Sequence, residues 1–145
     1  MTEFSRVYDL SLSSVFVGQQ VIKASPSECD DLAKRFRIVN IEHINADFRL
    51  FHDTEDQCFR LKGTLEAKVT QASVISLTPV VEIIRTPIHI KIRLGEASFE
   101  EDDTMEDIEY VSTTKVDIGE LVAQYLSLSM NPYPKTADEK KRELL

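Results

Sequence analysis

From Phe59 to Thr70 the odd positions, Phe59, Leu61, Gly63, Leu65, Ala67 and Val69, are apolar or small. The even positions, Arg60, Lys62, Thr64, Glu66, Lys68 and Thr70, are polar or charged. A period of two with one apolar face predicts a half-buried strand. Ile88, Ile90, Ile92 and Leu94 repeat the pattern against His89, Lys91 and Arg93. The two runs are hinged at 71–79 and predict an antiparallel pair whose outer face is cationic. The phase slips at Ile83-Ile84 and Pro87, which predicts a bulge or an edge position, because proline has no N–H to give a ladder.

The rest of the chain supplies the partners of that pair. Even-position apolar residues predict a first strand over 4–12, and Val15, Val17 and Val21 a second over 15–23. Ser25-Pro26-Ser27-Glu28 then puts a hydroxyl at a helix N-cap, proline at the first helical position and glutamate where a capping box needs it. Cys29, Leu32, Ala33 and Phe36 follow at helical spacing, so this short helix packs on the sheet and Cys29 reads as a small core residue. Ile44, Ala46, Phe48 and Leu50 alternate with His43, Asn45, Asp47 and Arg49, a third strand joined to Phe59–Val69 by the turn Asp53-Thr54-Glu55-Asp56. Tyr110–Val116 is a last strand. Asp117 and Glu120 open a second helix with the stripe Ile118, Leu121, Val122, Tyr125 and Leu126, which Asn131-Pro132 stops. The expected class is α+β: a strongly curved antiparallel sheet of about six strands, open to closing as a barrel, with two helices over its apolar side. Residues 1–135 form one domain, and the charged ending 136–145 is expected to fray.

Length and charge narrow the function classes. The 145 residues, 42% hydrophobic, suit a single core. No apolar run approaches the ~20 residues that span a bilayer, and MTEFSRVYDL lacks a signal-peptide layout, so a cytosolic protein with no membrane partner is expected. The net charge of −8 is uneven: residues 57–95 hold six Lys or Arg against two acids (+4), whereas 96–109 hold eight acids and no base (−8). An acidic chain is not drawn to a phosphate backbone by its mean field, so DNA is not an expected partner and nucleic acid would have to be met by the local basic face. The candidates there are Arg60, Lys62, Lys68, His89, Lys91 and Arg93. The acidic stretch 96–109 reads as a solvated loop; Glu100, Glu101, Asp102, Asp103, Glu106 and Asp107 are its candidate contacts to a basic protein partner.

Catalytic chemistry is not expected. The four glycines stand singly, so there is no phosphate loop. No Ser or Cys has a signature pairing it with His43, His52 or His89, and His43 and His52 fall on opposite faces of one strand. Asp102-Asp103 lacks the alternating carboxylates and glycine of a calcium loop. Cys29 and Cys58 are too few for a disulfide framework. No catalytic residue, metal site or cofactor is assigned.

The hinge 71–81, the acidic stretch, and Val116-Asp117-Ile118-Gly119-Glu120-Leu121-Val122-Ala123-Gln124-Tyr125-Leu126 followed by Asn131-Pro132-Tyr133-Pro134-Lys135 together resemble the bacterial YceD family, the large ribosomal RNA subunit accumulation proteins, and most of all its alphaproteobacterial branch. The resemblance implies a non-enzymatic accessory factor for 23S rRNA accumulation and large-subunit biogenesis, with an rRNA precursor or a ribosomal protein as partner. Many members carry Cys-x-x-Cys at the hinge, where this chain has Ser73 and Ser76; neutral hydroxyls do not bind zinc as thiolates do. The other reading is a general protein-interaction module whose acidic loop binds a basic partner.

Overall fold

In a computed structural model of the chain, described over residues 3–12, 16–95 and 107–144, the period-two runs are strands of one sheet. The strands are β1 (Val7–Asp9), β2 (Gln20–Lys23), β3 (Asn40–Asp53), β4 (Cys58–Ala72), β5 (Pro79–Leu94), β6 (Asp107–Val111) and β7 (Lys115–Asp117). The helices are α1 (Pro26–Phe36), α2 (Ile118–Ser129) and α3 (Ala137–Glu143). The class is α+β, as the pattern predicts, but the sheet differs in being split and in being mixed. Five strands lie in the order β2-β3-β4-β5-β6, and β1 with β7 forms a separate two-stranded ribbon. The five-stranded sheet is open and not a barrel. It is also mixed, because β6 runs parallel to β5, Ile90 standing opposite Asp107 and Leu94 opposite Val111. The extended stretch expected at 110–116 is divided by a bend at Ser112–Thr114 between these two sheets.

The predicted faces hold. Leu61, Leu65, Ala67 and Val69 of β4 and Ile84, Ile88, Ile90 and Ile92 of β5 are buried on one side. β3 joins them through Ile41, Ile44, Ala46, Phe48 and Leu50. A register shift between Ile41 and His43 keeps Ile41 on the apolar face despite its odd number. The β4–β5 register runs unbroken from Ala72–Pro79 to Phe59–Ile92, so the slip at Ile83-Ile84 is not a bulge. It is an edge, since β6 covers β5 only from Ile90 onward.

Helices α1 and α2 both close the apolar side. Leu32, Cys29 and Ala33 of α1 and Ile118, Leu121, Val122 and Leu126 of α2 belong to one continuous core with the strands. Burying a leucine such as Leu32 stabilises by roughly 1.5–3 kcal/mol. The α1 capping box is present in both halves: the Glu28 N–H donates to Ser25 Oγ (3.2 Å) and the Ser25 N–H to Glu28 Oε1 (2.8 Å). Arg37 ends the helix in the left-handed region at φ 58°. At α2 only half the expected box forms. Asp117 accepts from the Glu120 N–H, while the Glu120 carboxylate turns away to a two-pronged bond with Arg35, both contacts 2.8 Å.

The ending expected to fray is helical. Thr136 caps α3 in a full box with Glu139, and the Glu139 carboxylate is buried against the β4–β5 loop, where Ser73 Oγ (2.6 Å) and Ser76 Oγ (2.6 Å) donate to it. Those hydroxyls hold its carboxyl below the usual carboxylate range. Ser73 Oγ also accepts from the Ile75 and Ser76 N–H groups, so the Ser-x-x-Ser pair closes the loop by hydrogen bonds. Among the described residues, no helix is long and apolar enough to cross a membrane.

Candidate nucleic-acid interface

With both large helices on the apolar side, no helix among the described residues covers the other face of β3, β4 and β5. Antiparallel pairing sets its side chains in rows. Arg49, Lys62 and His89 form one row across three strands, and Phe51, Arg60 and Lys91 form the next, toward the β3–β4 turn. Arg85 lies farther along, with Glu66 directly across from it.

These rows differ in what their charges do. The Arg60 side chain is only 11% exposed: its Nε donates to Asp53 Oδ2 (2.8 Å) and its Nη2 to Asp56 Oδ2 (2.7 Å), while Nη1 lies 3.0 Å from His89 Nε2. Lys91 is 4% exposed, and its ammonium donates to the same Asp56 oxygen at 3.1 Å. The turn between β3 and β4 folds back over the sheet end and neutralises both cations. The pairing is mutual: Arg60 holds the Asp53 carboxyl below its ordinary range, and Lys91 does the same to Asp56. Of the six predicted contacts, then, Arg60 and Lys91 face the predicted side but are engaged within the chain. Lys68 pairs with Glu42 at 3.0 Å, both side chains more than a third exposed. Such a pair is worth under about 1 kcal/mol and leaves the ammonium open to a stronger anion. His89 and Arg93 are half-buried, with Arg93 beside Tyr110 of β6. Lys62 is exposed, its ammonium 5.9 Å from the centre of the Phe51 ring.

The parity that places Lys62 outward also places Arg49, Lys23 and Arg85 there, three cations outside the predicted set. All are exposed and carry no ion pair among the described residues. The available positive charge is therefore centred on Arg49 and Lys62, in mid-strand, with the Phe51 ring partly exposed beside them. Long cations for phosphate next to an aromatic face for a base suit single-stranded nucleic acid.

Asp53, Asp56 and Cys58 bring one ligand atom each within 4.8 Å of one another, yet the two carboxylates already hold Arg60 and Lys91. Burial pushes the Cys58 and Cys29 thiols up, away from thiolate character. Glu100, Glu101, Asp102, Asp103 and Glu106 lie outside the described residues, and Asp107 opens β6 opposite Ile90. Glu109, half-buried on β6, has its carboxyl raised by burial and by Glu120 nearby.

The elements define an α+β protein, and among the described residues its helices pack on one side of the sheet only. Comparison with family models, with curated proteins and with solved structures returned no match.

Proposed function

We propose that this chain is a non-enzymatic accessory factor for 23S rRNA accumulation and large ribosomal subunit biogenesis, as its resemblance to the YceD proteins implies, and that it acts by surface contact with rRNA or a ribosomal protein. The observation that carries the reading is spatial. Two of the stretches on which the resemblance rests, 71–81 and 131–135, are far apart in sequence yet bonded together. Gln71 Nε2 donates to the Asn131 carbonyl (2.9 Å), and the Val74 N–H to the Pro134 carbonyl (2.9 Å). Next to the hinge, Glu82 Oε1 accepts from the Asn131 N–H (3.0 Å). The two stretches thus form one structural unit, as a shared motif spanning both would require. The mid-strand cations Arg49 and Lys62 supply an RNA-facing surface consistent with the same role.

The test is depletion of the protein in its native cell, with 23S and 16S rRNA quantified separately. Selective loss of 23S rRNA is expected; equal loss of both, or of neither, would remove the large-subunit assignment.

A further inference from the structure

One long strand of the sheet has an unpaired edge. Main-chain groups alternate sides along a strand, and three bonds fix which way those of β5 point. The Thr70 carbonyl accepts from the Val39 N–H, so the even residues of β4 face β3 and its odd residues face β5. The Ser73 N–H accordingly reaches the Thr78 carbonyl, and the Gly95 N–H reaches Val111 on the far side. In β5 the even residues therefore bond to β4, and the odd residues turn their N–H and C=O outward. Beyond the reach of β6, at Val81, Ile83 and Arg85, those groups meet no partner among the described residues. The outward positions at either end are Pro79 and Pro87, which have no N–H to offer.

We infer that this edge pairs with the same edge of a second copy of the chain, antiparallel about a two-fold axis at Ile83. The pattern reads alike in both directions from that residue. Ile83 stands opposite Ile83 of the second copy, Val81 opposite its Arg85, and Pro79 opposite its Pro87. Val81, Ile83 and Arg85 exchange about six main-chain hydrogen bonds, and the prolines end the ladder on both strands at once. The side chains fit that register. Ile83 is 72% exposed and Val81 56%, β-branched apolar groups that cover each other across the pair. The arginines meet valine rather than each other, so no like charges are opposed. An unrelated extended peptide would need none of this symmetry, which is why a second copy is the occupant assigned. The product is one continuous ten-stranded sheet.

A contact of one short strand and two apolar side chains is small, so the dimer is weak, with a Kd on the order of 10–100 µM. Sedimentation equilibrium of the full chain from about 5 to 500 µM is expected to pass from monomer to dimer over that range. Ile83→Lys sets two ammonium groups against each other on the axis and is expected to weaken Kd at least about tenfold, with no change in the thermal midpoint of the dilute monomer. Val81→Glu faces Arg85 of the second copy twice and tightens association at low salt; Val81→Arg loosens it. A protein monomeric throughout, or one whose Kd is indifferent to Ile83→Lys, overturns the proposal. Equal effects of the two Val81 substitutions overturn the register.

Discussion

Gly63 lies hard against β3, and replacing it with alanine tests the packing most directly. A Cβ at residue 63 would lie 1.9 Å from the Asp47 carbonyl oxygen, 2.5 Å from Phe48 Cα and 2.7 Å from Phe48 Cβ. Comfortable contact begins near 3.4 Å, so the nearest atom must retreat by 3.4 less 1.9, about 1.5 Å. All three atoms are backbone or Cβ of β3, so no rotamer change relieves the clash. The strands must part locally where Gly63 faces Phe48 and Thr64 faces Asp47. Phe48 is fully buried and set edge-on to Tyr8 with ring centres 5.7 Å apart, so its own shift disturbs the core beneath the ribbon. Overpacking of about 1–3 kcal/mol plus one or two weakened ladder bonds at about 1 kcal/mol each gives roughly 2–5 kcal/mol. Urea unfolding of Gly63→Ala should show a lower midpoint at an unchanged slope. Phe48→Leu in the same background should not restore it, because leucine keeps the Cα and Cβ that clash. A loss below about 0.5 kcal/mol, the range of an ordinary surface change, or rescue by Phe48→Leu, would refute this account of the β3–β4 contact.

Two further expectations concern an ion pair and a helix cap. Arg6 donates two 2.8 Å bonds to Glu28 and holds its carboxyl at about 2 instead of 4.5. The folded value is depressed, so this stabilisation is complete above pH ~4.5 and is lost as the pH falls toward ~2; after allowance for solvent screening it amounts to roughly 1–2 kcal/mol. Glu28→Gln should flatten the acid limb of a stability–pH curve over that window, and an unchanged limb would count against the pair. At the other end of the molecule, Thr136→Ala removes the α3 cap, worth about 1 kcal/mol locally. Amide exchange should quicken in α3 and at Ile75 and Ser76 while the global urea midpoint stays put; unchanged exchange at Ile75 and Ser76 would mean that α3 does not hold the hinge loop.

What could be read from the chain depended on how local the determining contacts are. The Ser25 box lies within four residues, and the β4 alternation states its buried face without reference to any partner. The direction of β6 was hidden, because a strand's own pattern does not say which end of the sheet the preceding segment returns to. α3 was hidden for a different reason: Ala137–Glu143 has no apolar stripe, and the residue it buries is Glu139. Its start was nonetheless written plainly, since Thr136-x-x-Glu139 repeats the signature of Ser25-x-x-Glu28. At the candidate interface parity gave the side of the sheet on which each residue lies but not the state of its charges. The partner of Lys91 is Asp56, 35 positions away, and only the folded turn brings them together.

That difference yields a test separating structural from binding cations. The Arg60 guanidinium contacts Asp53, Asp56 and His89 and lies almost wholly within the protein, whereas Lys62, two residues on, faces solvent over Phe51. If the cationic face contacts RNA, the two must respond oppositely to truncation. Arg60→Ala leaves Asp53 without a cation and exposes the β3–β4 turn, so the urea midpoint falls, while affinity for a single-stranded 23S rRNA fragment changes less than about twofold because the lost charge was already neutralised. Arg49→Ala with Lys62→Ala leaves the midpoint within about 0.5 kcal/mol, since both side chains are exposed. The same pair of changes removes two phosphate contacts, and on single strands each contributes about 0.7 to the slope of log Kd against log salt, so that slope should drop by roughly 1.4. A double variant that binds with the parent's slope would exclude these residues as phosphate contacts, even if depletion still cost the cell its 23S rRNA. A ribosomal protein would then be the partner to seek.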